Sequence, residues 1–121
     1  MNVAVLGASA KPERYSYQAV KLLREKGHAV YPVHPSLREI DGLVVYPSLD
    51  RIPDRIDTVT LYLSARNQAG VAEALLVAAP RRVIFNPGTE NRNLEARLQD
   101  AGVETLHACT LVLLKTGAFA P

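Results

Sequence analysis

Gly7, Ser9, Lys11 and Arg14 follow directly on the apolar run Val3-Ala4-Val5-Leu6. Four apolar residues without alternation read as a buried strand. Gly7 ends it where a backbone must turn sharply or approach a ligand closely. Ala8 and Ala10 leave that turn uncrowded, and a helical pattern starts near Arg14. A strand, a small-residue turn and a helix N-terminus make a site for anionic phosphate, because the first-turn amides point outward and the helix dipole adds positive charge. Lys11 and Arg14 sit at the end of the helix where that dipole disfavours cations, which a bound anion explains. Ser9 reads equally as a phosphate donor or as a helix cap. The stretch points to a nucleotide diphosphate group.

Further polar residues follow other apolar runs. His34-Pro35-Ser36, Ser64-Ala65 and Asn86-Pro87-Gly88 each come after a strand pattern. His107 and Cys109 are two apart, so a strand would place them on one face as a Cys–His pair. A nucleophile also needs a third group and an oxyanion site, and no pattern supplies them. Cys109 therefore reads as a buried structural cysteine. Tyr15 and Tyr17 read as packing residues, Tyr46 as half-buried structure, and His28 as a surface residue.

The elements that position these residues alternate along the chain. Tyr15 to Lys26 form an amphipathic helix with Ala19, Leu22 and Leu23 on its apolar face, ended by Gly27. Ala29 to Val33 form a second strand, short or ending near Pro32. Asp41-Gly42 is a turn, and Leu43 to Tyr46 suit a short strand. Ser48 caps a helical turn through Arg51. Asp57 to Leu63 form the next strand, and Ser64 caps a helix over about Arg66 to Ala79. Arg82 to Phe85 form a strand, Asn86-Pro87-Gly88-Thr89 a turn, Asn91 to Ala101 a helix, and Val103 to Leu106 a strand. Ala108 to Leu114 suit a further strand or a packed coil. This is the order of an α/β chain: a Rossmann-like three-layer α/β/α arrangement with a mostly parallel sheet. Right-handed crossovers bring the loops after Leu6, Val33, Leu63 and Phe85 to one carboxyl edge, where they converge on one crevice.

Composition narrows the classes. The 121 residues fit one domain, and 48% hydrophobic with 21% charged suffices for a core. A net charge of +2, with basic and acidic residues interspersed, gives no argument for nucleic acid. Met1-Asn2 lead straight into the first strand, and no apolar run is long enough to span a bilayer. One cysteine allows no internal disulfide and no cysteine-based zinc site. The expectation is a cytoplasmic protein without a metal.

The dinucleotide fingerprint needs three glycines and an acidic residue at the end of the second strand. Only Gly7 is present, and His34-Pro35-Ser36 stand where the carboxylate belongs. NAD is disfavoured. NADP is less clearly excluded, because Arg38 could approach a 2′-phosphate. Val5-Leu6-Gly7-Ala8-Ser9 with Lys11-Pro12-Glu13-Arg14, then Val33-His34-Pro35, then Gly42 with Val45-Tyr46-Pro47-Ser48-Leu49, and Ile56-Asp57 occur in order over nearly the whole chain. In that order and spacing the chain resembles stand-alone CoA-binding domains, which are similar to the N-terminal domain of the succinyl-CoA synthetase α subunit. It departs from their pattern at His34, where Asn or Thr is common, and before Gly88. The resemblance implies coenzyme A or an acyl-CoA, with phosphates on the first turn and adenine near Pro35 and Ser64. It carries over no synthetase activity, which needs a phosphorylated histidine on a second domain. The expected site is Gly7, Ala8, Ser9, Lys11, Arg14, His34, Pro35, Ser64, Asn86, Pro87 and Gly88. The expected function is non-catalytic binding, with a partner protein or homodimer possible through Leu111-Val112-Leu113-Leu114. The alternatives are an NADP-binding enzyme or redox sensor, and a ligand-free protein–protein interaction module.

Overall fold

Val3, Ala4 and Val5 have no exposed surface, because β1 (Asn2–Leu6) lies inside a parallel sheet covered on both faces. The computed structural model describes residues 1–120. Its elements after β1 are α1 (Tyr15–Glu25), β2 (Ala29–Val33), β3 (Glu39–Ile40), β4 (Leu43–Val44), β5 (Thr58–Leu61), α2 (Ala72–Ala78), β6 (Arg82–Phe85), α3 (Arg92–Asp100), β7 (Glu104–His107) and α4 (Thr110–Thr116). The main sheet runs β2-β1-β5-β6-β7, with every pairing parallel. Chain order reverses between β1 and β5, which puts a crevice at the carboxyl edge there.

Alternation sorts the core into two layers. Ala4, Leu6, Val59, Leu61, Val83 and Phe85 pack on the face covered by α2 and α3. Val3, Val5 and Ile84 pack with Val20 and Leu23 of α1 and Leu114 of α4 on the other. The Rossmann-like three-layer expectation holds.

Local chemistry explains the joins. Asp41 and Gly42 both have positive φ, +51° and +79°, as a tight turn between antiparallel β3 and β4 requires. Pro32 is tolerated because β2 is the sheet's outer strand; its carbonyl accepts from the Tyr46 amide at 2.9 Å. At the sheet's amino edge, buried Arg82 donates to Thr58 Oγ1 (2.9 Å) and to the Phe119 carbonyl (2.5 Å), and lies over the Phe119 ring. That clasp holds the C-terminal segment. His28 is half-buried against Phe119 rather than on the open surface.

Two expectations are corrected. The helix expected over residues 66–79 is a 3-10 turn, Ala65–Asn67, followed by the shorter α2. Gln68 has no exposed surface, and its Nε2 donates to the carbonyls of Leu63 (2.8 Å) and Thr89 (2.7 Å). Holding that side chain between two loops keeps the segment out of the helix until past Gly70. The tail expected as strand or coil contains α4, with Thr110, Leu111 and Leu114 facing inward. Short apolar runs fit either period, so periodicity alone does not separate these states.

Candidate functional site

A cleft of about 1080 Å³ opens at the carboxyl edge over β2, β1 and β5, at the upper end of ordinary ligand pockets (about 300–1,000 Å³). Gly7, Ala8, Ser9, Lys11, Arg14, His34 and Pro35 all line it. Ser64, Asn86, Pro87 and Gly88 do not.

The turn after β1 is fixed by the fold. Gly7 has φ +90°, and a Cβ there would lie 3.1 Å from Leu63 Cδ2 and 3.2 Å from the Tyr62 carbonyl carbon. The left-handed φ, together with this close approach to the end of β5, selects glycine at Gly7. Ala8 N donates to the Val33 carbonyl at 3.1 Å, tying the turn to β2. Ser9 Oγ accepts from Lys11 N at 3.1 Å, so it braces the turn and does not cap the helix. The N-cap position of α1 belongs to Arg14, whose side chain caps nothing, and the first turn carries no acidic residue. Tyr15 and Ser16 of that turn line the cleft. Its amides and the cations of Lys11 and Arg14 face one opening, with Glu13 and Asp50 as the carboxylates of its lining.

His34 is held in one tautomer. Its Nδ1 accepts from the amides of Ser36 and Leu37, each at 3.1 Å. In the neutral ring Nε2 then carries the proton and is a donor. A histidine here does what an Asn or Asp side chain does in a turn, and keeps a second polar atom for a ligand.

The opposite wall was not singled out from sequence. Pro47, Ser48 and Leu49 come from the segment after β4, Leu63, Asn67 and Val71 from the path between β5 and α2, and Ala74 from α2 itself. The only hint was the Tyr46-Pro47-Ser48-Leu49 stretch.

Asn86 has a structural position. It is 2% exposed; its Nδ2 donates to Thr60 Oγ1 (2.7 Å) and the Leu61 carbonyl (2.9 Å), and its Oδ1 accepts from Thr110 N (2.8 Å). Both of its donor hydrogens are spent on the fold. Ser64 Oγ accepts from Asn67 Nδ2 at 3.0 Å. Pro87 and Gly88 are exposed at the edge beyond the cleft.

The Cys–His pair does not form as drawn from spacing. β7 ends at His107, and Cys109 is the N-cap of α4, so the two share no strand face. His107 Nε2 instead meets Glu95 Oε2 of α3 at 2.7 Å, and the ring stacks on Phe85 at 5.5 Å. Tyr62, on the cleft wall, has its hydroxyl buried and without a hydrogen-bond partner among the described residues. The hydroxyls of Thr60 and Thr110 beside it are bonded to each other at 2.8 Å. Burial pushes the Tyr62 phenol up to about 12. Among the described residues, no group of three or more His, Cys, Asp and Glu could hold a metal, and no helix is long and apolar enough to cross a membrane.

A doubly wound parallel sheet with a crevice at its carboxyl edge and an uncapped helix N-terminus beside it defines the Rossmann-like class of α/β protein. Within that class, residues 1–115 match the CoA binding domain model, and the chain belongs to that family. A curated relative is the uncharacterized protein YneT of Bacillus subtilis, 34% identical over 74 residues that cover 61% of this chain and 55% of that one. Another is acetate–CoA ligase (ADP-forming) I of Archaeoglobus fulgidus, 38% identical over 64 residues, which are 53% of this chain and 9% of the ligase. The chain thus matches about half of one relative and a small part of the other. Among solved structures, an uncharacterized protein matches with TM-score 0.88 and 39% identity over 98% of this chain and 97% of its own. A hypothetical protein from Pyrococcus horikoshii OT3 matches with TM-score 0.89 and 32% identity over 94% and 81%.

Proposed function

We propose that the chain binds coenzyme A or an acyl-CoA without itself transforming it. The observation that carries this is the uncapped first turn of α1, facing the same opening as Lys11 and Arg14. Amides, dipole and two cations suit a diphosphate. Family membership supports CoA among the ligands that carry one. Gly7, Ala8, Ser9, Lys11 and Arg14 hold the phosphates, while His34 Nε2 and Pro35 meet the nucleoside end. Ser64, Asn86, Pro87 and Gly88, outside the lining, shape neighbouring loops.

Thermal unfolding with CoA, acetyl-CoA, NAD and NADP tests this. At about a hundredfold over the dissociation constant, selective binding to the folded state adds about 2.7 kcal/mol, which moves the midpoint by several degrees. A rise with the CoA species alone is expected. A rise with NADP alone would move the reading to the NADP alternative, and no rise with any of them would leave an interaction module.

A further inference from the structure

His107 and Glu95 form a hydrogen-bonded pair outside the cleft. Glu95 is well placed to orient the imidazole. Its Oε2 meets His107 Nε2 at 2.7 Å and accepts from Thr105 Oγ1 at 3.1 Å, and Thr105 Oγ1 in turn accepts from Gln99 Nε2 at 2.7 Å. Phe85 backs the ring nearly in parallel, at 20°. With the Nε2 proton directed at a carboxylate, Nδ1 carries the free lone pair, and the ring is the half-exposed member of the pair. A histidine held by a carboxylate through one nitrogen is built to take a proton on the other.

The topology says what reaches it. His107 ends β7 and Gly7 follows β1, on the same carboxyl edge. The order β1-β5-β6-β7 separates them by three strand spacings, about 14 Å at roughly 4.8 Å each. Leu63 on the cleft wall and Phe85 under His107 belong to the same core layer, so both ends lie on one face of the sheet, with the exposed Pro87 and Gly88 at the edge between them. The arm of CoA from diphosphate to thiol has about a dozen chain atoms, the length of about four extended residues, or roughly 14 Å.

We infer that His107, oriented by Glu95, accepts the proton of the thiol of a CoA-type ligand whose diphosphate lies on the Gly7 turn. This rests on the CoA reading above. The S–H bond breaks, its proton goes to His107 Nδ1, and the products are a thiolate and an imidazolium whose charge Glu95 holds. No electrons are transferred and no further reactant is needed. The chain then presents an activated thiol, and acyl transfer belongs to whatever protein meets this edge. Two carboxylates bear on the imidazole, Glu95 from α3 and Glu90 from the loop after β6. Glu90 is already bonded to the Gly88 amide, at 3.0 and 3.2 Å from its two oxygens.

The test is alkylation of bound CoA by iodoacetamide across pH, with the product counted as alkylated CoA by mass so that Cys109 does not interfere. Calorimetric titration with CoA runs in parallel on wild type, His107→Gln and Glu95→Gln. In wild type the midpoint of thiol reactivity falls about one pH unit below that of free CoA, a roughly tenfold larger thiolate fraction below both midpoints. At pH below both midpoints, where the thiol is protonated free and bound, both variants still bind CoA, and both return the midpoint of thiol reactivity toward that of free CoA. Equal midpoints in wild type and His107→Gln, with CoA bound to both, overturn the role of His107 and leave the binding site standing. No heat on titrating wild type with CoA overturns the binding reading and this inference with it.

Discussion

Lys11 and Arg14 are placed against the electrostatics of their own helix. Both are exposed, and among the described residues neither has a carboxylate within ion-pair distance. Replacing either by Ala removes an unfavourable charge–dipole contact from the free protein and a favourable contact from the bound one. Stability without ligand is therefore unchanged or slightly raised, while CoA affinity falls by about tenfold or less, on the order of 1 kcal/mol, as befits exposed charges. Calorimetric titration at two salt concentrations checks this, and the salt dependence of binding flattens in each variant. Equal affinity in both variants and wild type would remove the phosphates from this turn. His34 separates loop from ligand in the same way. In His34→Asp the carboxylate can take over the bonds from Ser36 N and Leu37 N, but it offers no donor in place of Nε2. We expect an unchanged melting temperature with weaker CoA binding for His34→Asp, and a lower melting temperature for His34→Ala.

Elements were legible in the sequence where one local signal decided them. β1, β2 and β6 are short, largely apolar runs closed by turn residues, and Asp41-Gly42 announced its own hairpin. The phosphate turn was legible for the same reason, since strand, glycine and helix start are contiguous. What stayed hidden depends on contacts between distant segments. Gln68 looks like an ordinary helical residue until Leu63 and Thr89 are seen to hold it. Glu95 and His107 meet only once α3 has docked on β7. The wall from Pro47 to Leu49 lies in a connection whose course parallel-strand topology does not determine. Asn86 belongs here too, because its buried bonds join β5, β6 and α4. Asn86→Ala leaves the Leu61 carbonyl and Thr110 amide short of partners, at about 1–3 kcal/mol for each group. The urea midpoint should fall clearly with an unchanged slope. A loss under about 0.5 kcal/mol would mean that these elements are not joined through Asn86.

For the whole molecule, the titratable groups set the pH limits of the fold. Burial of Asp57 alone would raise its pKa, but hydrogen bonds from Arg81 and Thr58 outweigh it and hold the carboxyl below its ordinary value. Its stabilisation is present above the unfolded pKa, about 4, and is lost as pH falls through the folded value. Burial of His28, with the Met1 amino group and Arg82 nearby, lowers its pKa too. Neutral His28 is the folded form, so its stabilisation declines earlier, as pH falls from about 6.5. The alkaline limit runs the other way. Tyr62 is raised to about 12 by burial, and Tyr31 to about 12 by its hydrogen bond to Asp54. Each favours the neutral phenol in the fold, so the stabilisation is complete below about pH 10 and is lost as pH rises toward 12. Tyr62→Phe isolates one of the two. Its hydroxyl has no partner, so removing it should leave stability at pH 7 unchanged or higher by up to about 1 kcal/mol. The same variant should lose less stability than wild type between pH 10 and 12, with the remainder coming from Tyr31. Urea melts at pH 7 and pH 11 measure both effects. A clear loss at pH 7 would show that the Tyr62 hydroxyl has a partner in solution, most simply the paired hydroxyls of Thr60 and Thr110 beside it.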